Sequence, residues 1–150
     1  MAGVDVETDI VIERPRREVA AFASDPDNAT TWYTNIKTVH WETPRPAAVG
    51  TRVRFTAQFL GRTLGYTYEV TELVPGELFV MRTAEGPFPM ETTYSWSDTD
   101  DGRTTMTLRN RGEPSGFSTV AAPFMAAAMR RANGKDLARL KRILEAPTPA

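Results

Sequence analysis

The sequence predicts an α+β fold: a curved antiparallel sheet of about seven strands around one long C-terminal helix. Three observations carry this. Period-two alternation of apolar and polar residues recurs between Val4 and Arg111, broken by short Gly-, Pro- and Asp-rich turns. Two short helical stretches interrupt it after the first strand. From Phe117 the apolar spacing changes to that of an amphipathic helix.

The elements follow in order. Val4, Val6, Thr8, Ile10 and Ile12 alternate with Asp5, Glu7, Asp9 and Val11, which predicts a first strand with one buried face. Pro15 ends it and suits the first turn of a helix, and Val19, Ala20, Phe22 and Ala23 give Arg16–Ser24 an apolar side. Ser24-Asp25-Pro26-Asp27 is a break and a new N-cap signal, so a second short helix is expected from Asp27 to about Trp32. Strands are then expected at Ile36–Glu42, Val53–Phe59, Leu64–Val70, Leu78–Thr83, Met90–Ser97 and Arg103–Arg111. Gly61-Arg62, Pro75-Gly76, Gly86-Pro87 and the Asp98–Gly102 run connect the later ones. Such short connections favour antiparallel neighbours. The last helix is expected over Phe117–Glu145, with Pro123 as its true start or a kink and Gly134 as a weak point. Its outer face carries Arg130, Arg131, Lys135, Arg139, Lys141 and Arg142.

Composition narrows the function. The 150 residues suit one domain, expected over 1–146, with 147–150 a disordered tail. A net charge of −1 with interspersed signs argues against a nucleic-acid partner. The Arg14, Arg16 and Arg17 cluster is flanked by Glu13 and Glu18 and reads as solvated surface. With no cysteine and a single histidine, His40, no metal site is expected, and no motif calls for a cofactor. The start lacks the charged and apolar regions of a secretory signal, and no apolar run reaches the roughly 20 residues of a membrane span. A cytoplasmic location is the resulting expectation. Oligomeric state, monomer or homodimer, is not readable.

A helix of about 28 residues is about 42 Å long, while a twisting sheet curls around it. The two need not touch throughout, so a gap lined by inward side chains is expected between them. The element order β-α-α-β6-α resembles the helix-grip (START/Bet v 1-like) fold of the START-like, or SRPBCC, superfamily, which includes a polyketide cyclase/dehydrase and lipid-transport group. The pieces that carry the resemblance are Ile12-Glu13-Arg14-Pro15 leading into Val19–Phe22, Trp32, Gly50–Val53, Tyr68–Gly76 and Lys135–Glu145. None is catalytic. The resemblance implies a hydrophobic or amphipathic ligand in the cavity and no single reaction.

Parity and helical spacing give the candidate lining: Phe55, Tyr66, Tyr68, Met81, Met90, Tyr94, Met106, Leu108 and Asn110 from the sheet, and Phe124, Met125 and Met129 from the helix. Phe59 and Trp96 share the inward parity. Each of these residues also reads as ordinary core. Methionine adapts to varied shapes and a buried tyrosine hydroxyl needs a partner, which favours a pocket. Asn110 is a polar residue on an apolar face. In the fold that the chain resembles, the Trp32-Tyr33 segment lies near the cavity mouth, with Trp32 as a packed lid or a gate. Glu69, Glu91, Arg109 and Arg111 fall on the outer face, and Arg82 on either. No nucleophile elbow, P-loop or dinucleotide motif occurs, and a Ser-His-Asp triad could be built only around His40. Two readings remain. One is a binding module, a carrier, sensor or chaperone for a lipid, polyketide or quinone-like molecule. The other is a polyketide cyclase, aromatase or dehydrase that uses the same cavity. The basic face of the last helix offers a weaker third, protein docking.

Overall fold

A computed structural model describes residues 4–59, 61–85, 89–112 and 122–147, without the side chains of Phe59 and Ala122. The expected helical residues Phe117, Val120 and Ala121, the Gly86-Pro87 connection, the inward placement of Phe59 and the tail at 148–150 lie outside what is described. The strands are β1 (Val4–Ile12), β2 (Ile36–Trp41), β3 (Arg52–Phe59), β4 (Arg62–Val74), β5 (Leu78–Glu85), β6 (Met90–Asp98) and β7 (Thr104–Gly112). The helices are α1 (Arg16–Ala23), α2 (Ala29–Trp32) and α3 (Ala122–Glu145), and a 3₁₀ turn spans Pro26–Asn28. All seven strands form one antiparallel sheet in the order β1-β7-β6-β5-β4-β3-β2. This is the α+β helix-grip architecture.

The second short helix is the one element that differs in kind from expectation. Asp25 caps a 3₁₀ turn, its Oδ1 accepting from Asp27 N–H at 3.0 Å, and only Ala29–Trp32 are α-helical. Pro26 at the first position accounts for the tight entry, because its fixed φ suits a turn start. Pro123 sits in the first turn of α3, where its missing N–H costs no helical bond. At Gly76, φ is +79°, the left-handed conformation required after Pro75, and Arg16 Nη1 donates to its carbonyl at 2.9 Å.

The inner face of the sheet is built by strict alternation. Met90, Thr92, Tyr94 and Trp96 of β6 and Thr104, Met106, Leu108 and Asn110 of β7 are all buried. Register shifts between β4 and β5, at Thr67/Tyr68 and Val70/Glu72, bend those strands. The outer face carries ion pairs: Arg109–Asp5 at 2.7 Å, Arg52–Glu69 at 3.0 Å, and Glu91 between Arg82 and Arg111.

Helix α3 runs closest to edge strand β1 and also touches α2. Its C-terminal end is fastened to that edge. Lys141 Nζ donates to Val11 O at 2.8 Å, and Glu145 Oε2 accepts from Glu13 N–H at 2.7 Å. These bonds occupy edge-strand groups that would otherwise be open to another chain. Leu137 and Leu140 are fully buried in the main core with Ile12, Trp32, Trp96, Met106 and Leu108. With α3 held to one edge, space is left over the middle of the sheet.

Candidate functional site

That space is a cavity of about 150 Å³ between the sheet and the first turns of α3. The middle strands supply Phe55, Tyr66, Tyr68, Phe79, Met81, Met90, Thr92, Tyr94 and Asn110, and α3 supplies Met125, Met129, Ala132, Asn133 and Asp136. The segment from Ala23 to Ala29, with Tyr33, Asn35 and Ile36, closes one side, and Gln58 stands at the margin. Aromatic rings dominate the wall. Phe79 stacks on Tyr94 with centroids 5.8 Å apart and planes at 24°, and Phe55 meets Tyr68 edge-on at 5.8 Å.

Two polar groupings interrupt this apolar wall. In the first, Asn133 Nδ2 donates to Asn110 Oδ1 at 2.7 Å, and Asn110 Nδ2 donates to Thr92 Oγ1 at 2.8 Å. Burial raises the pKa of the nearby Tyr68 phenol, and the Thr92 and Thr83 hydroxyls partly offset the rise. The second grouping joins Tyr33 and Tyr94, whose hydroxyls lie 2.6 Å apart. Burial raises the pKa of both well above the ordinary phenol value, so both are neutral donors at pH 7. The buried Asp136 carboxylate stands near enough that its charge adds to both shifts. Burial also raises the pKa of Asp136, against the hydrogen bond that Oδ1 accepts from Thr34 N–H at 3.0 Å.

The candidate residues divide. Phe55, Tyr66, Tyr68, Met81, Met90, Tyr94, Asn110, Met125 and Met129 all line this one cavity. Trp32, Met106, Leu108 and Phe124 do not. Met106 and Leu108 share the parity of Asn110 but lie nearer the start of β7, in the same core as Leu137 and Leu140, and are fully buried. Trp32 is no gate: its ring is fully buried against Tyr33 and Tyr94. Phe124 is 77% exposed, because one residue's rotation from Met125 turns it about 100° away from the sheet. His40 and Arg82 are exposed and lie off the cavity.

Asn133 and Asp136 are absent from the sequence expectation, and Tyr33 enters it only as part of the segment near the cavity mouth. A signal for Asn133 and Asp136 existed: they continue the stripe Met125, Met129, Ala132 at helical spacing, as polar residues on an inward face. Among the described residues, no group of three or more His, Cys, Asp or Glu could hold a metal ion, and no helix is long and apolar enough to cross a membrane.

A long helix gripped by a curled antiparallel sheet, with an apolar cavity between them, defines a START-like, Bet v 1-like protein. The model of the family described as polyketide cyclase / dehydrase and lipid transport matches residues 3–145, and the chain belongs to that family. Solved structures share the fold. The Zhui aromatase/cyclase from Streptomyces sp. R1128 aligns with a TM-score of 0.78 at 17% identity, over 96% of this chain and 97% of that one. Ginseng major latex-like protein 151 from Panax ginseng gives 0.75 at 10% identity, over 97% and 100%. A START superfamily protein from Mycobacterium smegmatis gives 0.72 at 15%, over 94% of each. No curated protein matches in sequence.

Proposed function

We propose that residues 1–146 act as one domain that binds a hydrophobic or amphipathic small molecule between the sheet and α3, as a carrier, sensor or chaperone. Lipid, polyketide and quinone-like molecules are the ligand classes in view. The observation that carries this is the cavity itself, walled by aromatic and methionine side chains with a few polar groups, the usual make-up of a ligand site. The lining residues that the sequence predicts and the cavity holds, Phe55, Tyr66, Tyr68, Met81, Met90, Tyr94, Asn110, Met125 and Met129, are the proposed contact residues. An apolar fluorescent probe should bind the purified protein and be displaced by ligands of these classes. Replacing Met129 with Trp should abolish binding with the fold retained. Probe binding that survives this change would place the ligand elsewhere.

A second reading is catalysis of the cyclase, aromatase or dehydrase type. Tyr66, Tyr68, Tyr94, Asn110 and Asp136 all border one cavity, which is the convergence of polar groups that proton transfer requires. Its aromatase/cyclase structural neighbour supports considering it. Isosteric replacements at Tyr94 and Asp136 should then abolish turnover of a poly-keto substrate while leaving its binding intact.

A further inference from the structure

We infer that the paired hydroxyls of Tyr33 and Tyr94, together with the Asp136 carboxyl, form a subsite for the hydroxyl group of a phenol-type ligand. This rests on the ligand-binding reading and names the chemistry that the cavity selects.

Hydrogen-bond accounting separates the two polar groupings. In the Asn133–Asn110–Thr92 chain the protein's own groups face one another, one N–H of each amide meeting an acceptor on the next side chain. The tyrosine pair is open. Two hydroxyls carry two protons, and the single 2.6 Å contact uses one of them. Among the described residues, no further hydrogen bond takes the second. It is left for an acceptor atom inside the cavity. Asp136, also on the cavity wall and with a charge that acts on both phenols, offers the complementary acceptor. A neighbouring donor and acceptor match a hydroxyl, which can accept from tyrosine and donate to the carboxylate. A ketone or ether satisfies only the first half, and a hydrocarbon neither.

Size and shape select the body that carries the hydroxyl. A cavity of about 150 Å³ matches the engineered protein cavity that takes benzene. The flat faces of Phe55, Phe79 and Tyr68 beside it favour a planar ring over a branched chain. Methionines 81, 90 and 129 leave room for a short alkyl substituent.

Three ring compounds of similar size test this by isothermal titration calorimetry: 4-ethylphenol, acetophenone and ethylbenzene. Hydrophobicity alone would rank ethylbenzene first. The subsite predicts 4-ethylphenol at least tenfold tighter than ethylbenzene, with acetophenone between. The double variant Tyr33→Phe/Tyr94→Phe removes the donor half: acetophenone should then bind no tighter than ethylbenzene, and the lead of 4-ethylphenol should shrink to what Asp136 alone provides. Asp136→Asn should bring 4-ethylphenol down to acetophenone. Circular dichroism establishes that each variant is folded, and the ranking on the unaltered protein decides the matter if the double variant is not. Equal binding of 4-ethylphenol and ethylbenzene by the unaltered protein overturns the subsite and leaves the ligand-binding reading standing. No binding by any of the three overturns the subsite, and the apolar-probe titration then decides the ligand-binding reading separately.

Discussion

Asn110 and Asn133 place two amides in the interior, where an amide without partners costs about 1–3 kcal/mol. Their mutual bond at 2.7 Å and the onward bond to Thr92 remove that cost and tie α3 to β7 and β6. Either Asn110→Ala or Asn133→Ala should therefore lower stability by about 1–3 kcal/mol. In a double-mutant cycle by urea denaturation, the pair should show coupling of about 1 kcal/mol. Strict additivity would mean that the two amides act independently. Asp136 gives a pH dependence. Its pKa is raised above the ordinary 3.8, chiefly by burial, so the folded state holds the proton more tightly than the unfolded chain. The stability this group contributes is full below that ordinary value and is lost as pH rises through the folded value. Asp5, bonded to Arg109, and Asp27, bonded to Arg45, have lowered pKa values and act in the opposite sense, losing stability on acidification. Comparing Asp136→Asn with the parent at each pH cancels that background. The variant should gain relative stability from about pH 4 upward and reach a plateau once Asp136 is ionised. A flat difference would mean that the carboxyl titrates normally. At this scale Asn110 was legible because a polar residue broke an apolar face. For Tyr33 only the segment was legible, since it follows a single helical turn and no periodicity fixes its direction.

The strands were the most readable elements, because one buried face imposes a period of two. Tyr94 and Trp96 of β6, and Met106 and Leu108 of β7, fall inward as alternation requires. Alternation fixes a face and not a position along it, which is why Met106 and Leu108 went to the packed core and Asn110 to the cavity. Helix α3 was readable to within about one residue of rotation, enough to find Met125 and Met129 and to misplace Phe124. Its 24 described residues include Gly134, where an added Cβ would meet nothing within 4 Å. Gly134→Ala should therefore stabilise the protein by about 1 kcal/mol through helix propensity alone. The expected readout is a melting temperature raised by about 2–4 °C, with probe affinity unchanged. A decrease would mean that the helix needs the freedom of glycine at that point.

At the scale of the whole molecule, α3 divides the interior into two halves with different purposes. Its C-terminal half seats Leu137 and Leu140 in a dense core, and bonds through Lys141 and Glu145 hold it to β1. Its N-terminal half faces the cavity with Met125, Met129 and Ala132. An unfilled space forfeits contacts that a packed core would have, so the empty protein is less stable than the same fold filled. Filling the space from within should separate stability from binding. Ala132→Leu adds three carbons toward the cavity, worth about 1–2 kcal/mol if they find room. The expected result is a higher urea midpoint for the protein without ligand, together with a loss of probe affinity of tenfold or more. Saturating ligand should stabilise the parent by about 2.7 kcal/mol at a hundred times its Kd, and the variant hardly at all at the same concentration. A lower midpoint with probe binding intact would show that Ala132 packs against filled structure. The hollow would then have to be sought nearer the middle strands, among Phe55, Tyr66 and Met81.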